Sequence, residues 1–352
     1  MSQTVETAPP PPAADEPVER KSLLTILIHR PEVGALVAAL AIFVFFFAVA
    51  EPFRSVAAFS TVLYDSSTIG IMAVGVALLM IGGEFDLSAG VAVITAALTA
   101  AMFSYELSLN LWVGTIIALV LALMIGYWNG WLTMRTGIPS FLITLSTFFM
   151  LQGLNLGVTK LLTGTVATTN ISDMDGFGAL EAIFASSFTI GDLTVRITVV
   201  WWLLFTAIAT WLLLRTRVGN WIFAVGGNAA SARAVGVPLN RVKIGLFMGV
   251  GFLAWFYGMH RLYAFSTVQS GEGVGNEFLF IIAAVVGGCL LTGGYGSPIG
   301  AAIGAFIFGM TRQGIVYAGW DANWYRFFLG AMLLLAVLVN LWVRNYAMSR
   351  RS

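Results

Sequence analysis

Nine consecutive residues, Gly82-Gly83-Glu84-Phe85-Asp86-Leu87-Ser88-Ala89-Gly90, set two carboxylates and a hydroxyl between two apolar runs. Ionisable groups at membrane depth are costly, and where they occur they usually serve a solute or ion path. Two readings stand side by side. In one, Gly82 and Gly83 open a close-packed re-entrant break, and Glu84, Asp86 and Ser88 line a translocation path. In the other, the segment is an ordinary turn in which Asp86 or Ser88 caps the next helix. Three more polar side chains, Asn129, Gln152 and Asn155, sit inside apolar runs. Most such residues hydrogen-bond between helices, and a minority line a polar route. These three are the candidates for that route.

Bond-making chemistry has little to stand on. The chain has no His/Glu metal-binding helix motif, no Walker-type phosphate loop and no Gly-x-Ser-x-Gly. Its one cysteine, Cys289, excludes an intrachain disulfide and a cysteine-based metal cluster. Its two histidines, His29 and His260, are too few for a His-rich metal site, and His260-Arg261 reads as an interfacial pair at a helix end. No catalytic residue, bound metal or resident cofactor is expected. The net charge of +1 points to no nucleic-acid partner.

The segment 215–243 carries five basic residues and no acid. At its centre, Asn228-Ala229-Ala230-Ser231-Ala232-Arg233 predicts a short capped helix. Asn228 is a good N-cap, alanine propagates a helix, and Gly236 with Pro238 stops it. A plain basic loop explains the charge. A helix that docks on a cytoplasmic partner explains the charge and the cap together.

The elements that hold these residues are membrane spans. Of 352 residues, 59% are hydrophobic and 10% charged, against roughly 25% charged in a soluble domain. Mean hydropathy is +0.89. The 38 glycines suit helices packed backbone to backbone in lipid. Taking charges as span ends gives uncharged stretches at 33–50, 66–83, 87–105, 107–134, 136–159, 197–214, 244–260, 278–311 and 327–343. The 278–311 stretch holds Thr292-Gly293-Gly294-Tyr295-Gly296-Ser297-Pro298, which breaks a helix. It therefore reads as two short helices, and the fold class is an all-α membrane protein of about ten helices, several short or interrupted by Gly and Pro. Its Gly-Gly and following Ser-x-Gly-x-Ala repeat the pattern at 82–90, a faint internal symmetry of the kind that marks transport paths. Placing the N-terminus in the cytoplasm puts twelve of the 18 basic residues inside, and ten spans return the C-terminus to the same side.

This organisation divides the chain into a disordered cytoplasmic tail (1–30, with Pro9 to Pro12 in a row), a transmembrane domain (31–343) and a C-terminal cytoplasmic tail (344–352). Within the domain, 160–196 is external and acidic, and 215–243 is cytoplasmic.

Four segments, 82–90, 136–145 (Thr136-Gly137-Ile138-Pro139-Ser140-Phe141-Leu142-Ile143-Thr144-Leu145), 226–238 and 287–300, resemble in order the signature segments of ribose-type ABC importer permeases. These are the binding-protein-dependent inner-membrane components for monosaccharides. The resemblance covers about residues 60–340. It implies a ten-helix subunit in a bacterial inner membrane and a second permease copy, identical or not. It also implies a cytoplasmic ATPase that binds the ATP, an external solute-binding protein and a small sugar as substrate. It assigns 228–236 to docking on the ATPase. Where the family reads Gly-Gly-Ile-Asp-Leu-Ser, this chain reads Gly-Gly-Glu-Phe-Asp-Leu-Ser, with an acid and one extra residue. Relatives of this type also carry nucleosides, autoinducer sugars or branched-chain amino acids. The competing class is an ion-coupled secondary transporter, for which only Glu84 and Asp86 could serve as coupling groups.

Overall fold

A computed structural model describes residues 31–349, with side chains for 32–338. The 1–30 tail and the last three residues lie outside the described part. The helices are α1 (Pro31–Val49), α2 (Val56–Ile81), α3 (Ala89–Glu106), α4 (Leu111–Thr136), α5 (Ser140–Thr163), α6 (Phe177–Phe184), α7 (Ile197–Arg215), α8 (Arg217–Gly227), α9 (Ala229–Ala234), α10 (Leu239–Phe265), α11 (Asn276–Val286), α12 (Pro298–Tyr317) and α13 (Trp324–Ser349). Each of the ten apolar stretches carries one helix. Eight of these are long and apolar enough to cross a membrane, whereas α11 has 11 residues and is shorter. Local signals set several ends. Ser55 caps α2 by accepting from Ala58 N, and Asn110 caps α4 by accepting from Trp112 N. Gly137 and Gly164, both left-handed, close α4 and α5.

The centre of the bundle is α2 and α3, buried over most of their length between α4, α10, α11 and α12. By contrast, α1, α5 and α7 expose residues such as Leu36, Phe149 and Trp211 on the periphery. Because α2 and α10 run antiparallel, Tyr64 meets His260 at one end while Gly82 faces Leu246 at the other.

Charges proved poor markers of helix ends. Asp65 lies inside α2, which starts at Val56 instead of 66. Lys243 lies inside α10 and Arg312 inside α12, whereas Glu277 is the second residue of α11 and does mark its start. The three internal charges have ion partners: Lys243 pairs with Glu84, and Arg312 sits 4.0 Å from Asp65. A paired charge need not leave the bundle. Two connections hold more structure than their composition suggested. The 160–196 segment contains α6 and a hairpin of β1 (Ser187–Ile190) and β2 (Leu193–Arg196), with Ser187 opposite Arg196. Its Leu180 and Phe184 are buried. The 215–243 segment contains α8, α9 and the start of α10. The final helix runs on through 344–349, where a tail was expected.

Candidate functional site

The break after α2 is held by hydroxyls from α5. Gly83 is left-handed and turns the chain out of the helix. Phe85 N then donates to Ser140 Oγ at 3.1 Å, and Leu87 N donates to Thr144 Oγ1 at 3.0 Å. Asp86 Oδ1 accepts from Ser88 N at 2.8 Å and from Ser88 Oγ at 2.6 Å. Ser88 Oγ accepts from Asn129 Nδ2 at 2.9 Å, and Asn129 Oδ1 accepts from Thr147 Oγ1 at 2.7 Å. Asp86, Ser88 and Asn129, three of the residues singled out from sequence, thus form one buried chain from the break through α4 to α5. Ser140, Thr144 and Thr147 completed it without being anticipated. Their spacing of four and three residues sets them on one face of α5, and that spacing was the available signal.

The remaining candidates go elsewhere. Glu84 is buried and forms an ion pair with Lys243 of α10. Asn155 Nδ2 donates to Val91 O at 3.4 Å, tying α5 to α3. Gln152, half-buried on α5, is not part of the chain.

The second break, 287–297, meets the end of α2 through a backbone hydrogen bond and the Ile81 side chain, which packs against Gly296. Gly294 N donates to Ile81 O at 2.8 Å, so the break before α12 caps the end of α2. Gly226, near the end of α8, lies between them. A Cβ on Gly226 would overlap Ile81 O and lie 2.7 Å from Gly294 N. A Cβ on Gly293 would lie 2.7 Å from Gly83 Cα, and one on Gly294 would lie 2.7 Å from Gly227 Cα. Three Gly-Gly pairs, 82–83, 226–227 and 293–294, therefore meet at one junction with no room for a side chain at its centre.

The short helix α9 hangs from this junction. Asn228 follows Gly227 directly and accepts from Ser231 N at 2.9 Å, starting α9 as its sequence predicts. Ala232 is buried and Arg233 exposed. Gly236 is left-handed after the helix. Ala229, Ala230 and Ser231 complete its small-residue surface.

The opposite end of the bundle holds polar groups that the sequence reading had used as boundaries. His260 is buried. Phe184 O can only accept, so His260 Nδ1 donates to it at 2.8 Å and Nε2 accepts from Tyr64 Oη at 3.0 Å. Asp65 Oδ2 accepts from Gln313 Nε2. Arg261 pairs with Glu272 at 2.5 Å.

A bundle of apolar helices with two glycine-broken elements, joined to a capped basic segment, is the build of a transport subunit. Residues 58–337 match the family described as branched-chain amino acid transport system / permease component. The chain belongs to this permease family. The ribose import permease protein of Escherichia coli K12 is 30% identical, over 92% of this chain and 94% of its own. The fructose import permease protein of Rhizobium meliloti is 25% identical, over 93% and 91%. The xylose transport system permease protein of Escherichia coli K12 is 28% identical, over 80% and 84%. No solved structure matches. The permease is thus a multi-pass membrane component of ABC-type import and a transport subunit in place of an enzyme. Both breaks, the 228–236 segment and the polar groups at the opposite end of the bundle lie inside the matched region.

Proposed function

We propose that this permease forms the translocation pathway of an ABC importer for a monosaccharide in a bacterial inner membrane. An external solute-binding protein delivers the sugar, and a separate cytoplasmic ATPase binds the ATP and drives the cycle. The substrate class is supported by the ribose, fructose and xylose relatives, each aligned over four-fifths or more of both chains. The coupling is supported by one observation above all: Gly226, two residues before the cap of α9, is wedged against Ile81 of one break and Gly294 of the other. A push on α9 therefore reaches both breaks through backbone, with no flexible side chain to absorb it. Glu84, Asp86, Ser88 and Asn129 hold the first break to its neighbours, so the break moves with α4, α5 and α10.

Both termini are cytoplasmic in this reading and 160–196 is external. A second permease copy, identical or not, pairs through the outer face of α5, where Gly153 and Gly157 are exposed with open space above them. Such a small-xxx-small pair lets two helices approach closely in lipid. The family's own description favours a second reading, import of a branched-chain amino acid. Reconstitution with a cognate ATPase and binding protein separates them: ribose, fructose or xylose uptake supports the first, and leucine uptake alone overturns it. Impermeant labelling of a Ser231→Cys chain in intact cells would overturn the orientation.

A further inference from the structure

We infer that Asp65, Arg312 and Gln313 form a sugar-contacting station near the outer mouth of the permeation route, where hydroxyls exchange hydrogen bonds with a carboxylate, a carboxamide and a guanidinium. This rests on the sugar-importer reading above. The station lies about 25 Å along α2 from Gly82, at 1.5 Å per residue, and so at the far end from the glycine junction.

Its assembly follows from helix packing. Gly309 lets α12 press on α2: a Cβ there would lie 2.8 Å from Val62 O and 2.9 Å from Ser66 N. One turn further along α12, Gln313 reaches Asp65 Oδ2 and Arg312 Nε stands 4.0 Å from the same oxygen. Asp65 Oδ1 keeps its capacity to accept. The Asp65 side chain is only 12% exposed, whereas that of Arg312 is 55% exposed. A half-exposed guanidinium on a membrane helix must face a polar cavity or the membrane interface. On the adjoining α13, Tyr325 Oη is buried and has no hydrogen-bond partner among the described residues. That is an unspent donor on the neighbouring helix.

The chemistry selects the occupant. Carboxylate, amide and guanidinium together accept from and donate to adjacent hydroxyls, the pattern a sugar presents. The carboxylate repels a lipid phosphate, which argues against an anionic headgroup. Asp65 and Arg312 largely compensate each other, so the station carries little net charge and suits a neutral solute better than a zwitterion.

The test uses the full transporter in proteoliposomes. In an Arg312→Cys permease, a water-soluble thiol reagent should label position 312, and a transported sugar should slow that labelling several-fold. The wild-type chain, whose Cys289 is buried, is the control. Arg312→Met and Gln313→Leu should lower maximal uptake by about tenfold or more, as the loss of one hydrogen bond to a charged group implies. Labelling indifferent to sugar, with uptake unchanged in both variants, overturns the station and leaves the importer reading standing. Wild-type vesicles that take up leucine and no sugar overturn both. If Gln313→Leu fails to insert, the two Arg312 variants decide.

Discussion

The two ends of the α2 helix are built from opposite materials. At the Gly82 end, three glycine pairs touch through backbone, Glu84 is locked to Lys243, and Asp86 is held by Ser88. At the Asp65 end, long polar side chains meet at an edge, and Asp65 Oδ1 and Tyr325 Oη have hydrogen-bonding capacity to spare. A backbone contact transmits displacement because it cannot rearrange without breaking close packing. A side-chain cluster with spare donors and acceptors can change partners as a solute passes. The difference teaches that one end suits moving the protein and the other suits meeting a substrate.

The sharpest way to break this contrast is Gly226→Ala. Its Cβ would overlap Ile81 O, which is backbone and cannot step aside. Overpacking of this kind costs about 3 kcal/mol or more, so uptake should fall by about 100-fold or more. Gly227→Ala is the matched control, since its Cβ would meet nothing within 4 Å. Near-normal uptake from the Gly226 variant in reconstituted vesicles would show that the junction is loose and cannot be a lever.

The ion pair offers the next largest effect. Glu84→Gln leaves Lys243 buried without its counter-charge, a loss of about 3–5 kcal/mol in comparable pairs. The double variant Glu84→Gln with Lys243→Met should recover much of the protein in the membrane, because no lone charge remains. Equal defects in single and double variants would assign Glu84 a role beyond the pair. Such a role is what an ion-coupled transporter would require of it.

Ala232→Pro tests the lever from its handle. Ala232 N donates to Asn228 O at 2.9 Å, and proline removes that donor inside α9, at about 3 kcal/mol. The variant should reach the membrane but lose co-purification of the ATPase, or lose the hydrolysis that loaded binding protein stimulates. Arg233→Glu, at an exposed position, should show a milder form. Full coupling in Ala232→Pro would reduce 215–243 to a basic connector.

What the sequence made legible was local. The cap at Asn228, the stop at Gly236 and the two glycine breaks depend on neighbours within a few residues. What stayed hidden was the company these features keep. Glu84 finds Lys243 across 159 residues, and Asp65 finds Gln313 across 248. Treating every charge as a span end hid the same residues, since a charge with a partner in the next helix can stay inside. The two Gly-Gly breaks were visible as a faint repeat, but nothing along the chain showed that Gly226 sits between them. The polar candidates Asn129, Gln152 and Asn155 were visible as polar residues, and only packing separated the one in the Asp86 network from the others.

The smallest expected effect sharpens the contrast most. Asn155 sits on α5, between the two ends, and its single long hydrogen bond to Val91 O ties α5 to α3. If that tie is its whole role, Asn155→Leu costs about 0.6 kcal/mol, the average for interhelical hydrogen bonds in membranes. Uptake should then fall by no more than about threefold, and equally for every sugar carried. Gln152→Leu, one helical turn earlier and only half-buried, should behave the same way. A variant that lowered uptake of one sugar and spared another would place its residue against the solute. The substrate would then be met along α5 as well as at Asp65, and the division between a backbone lever and a side-chain station would have to be redrawn around that helix.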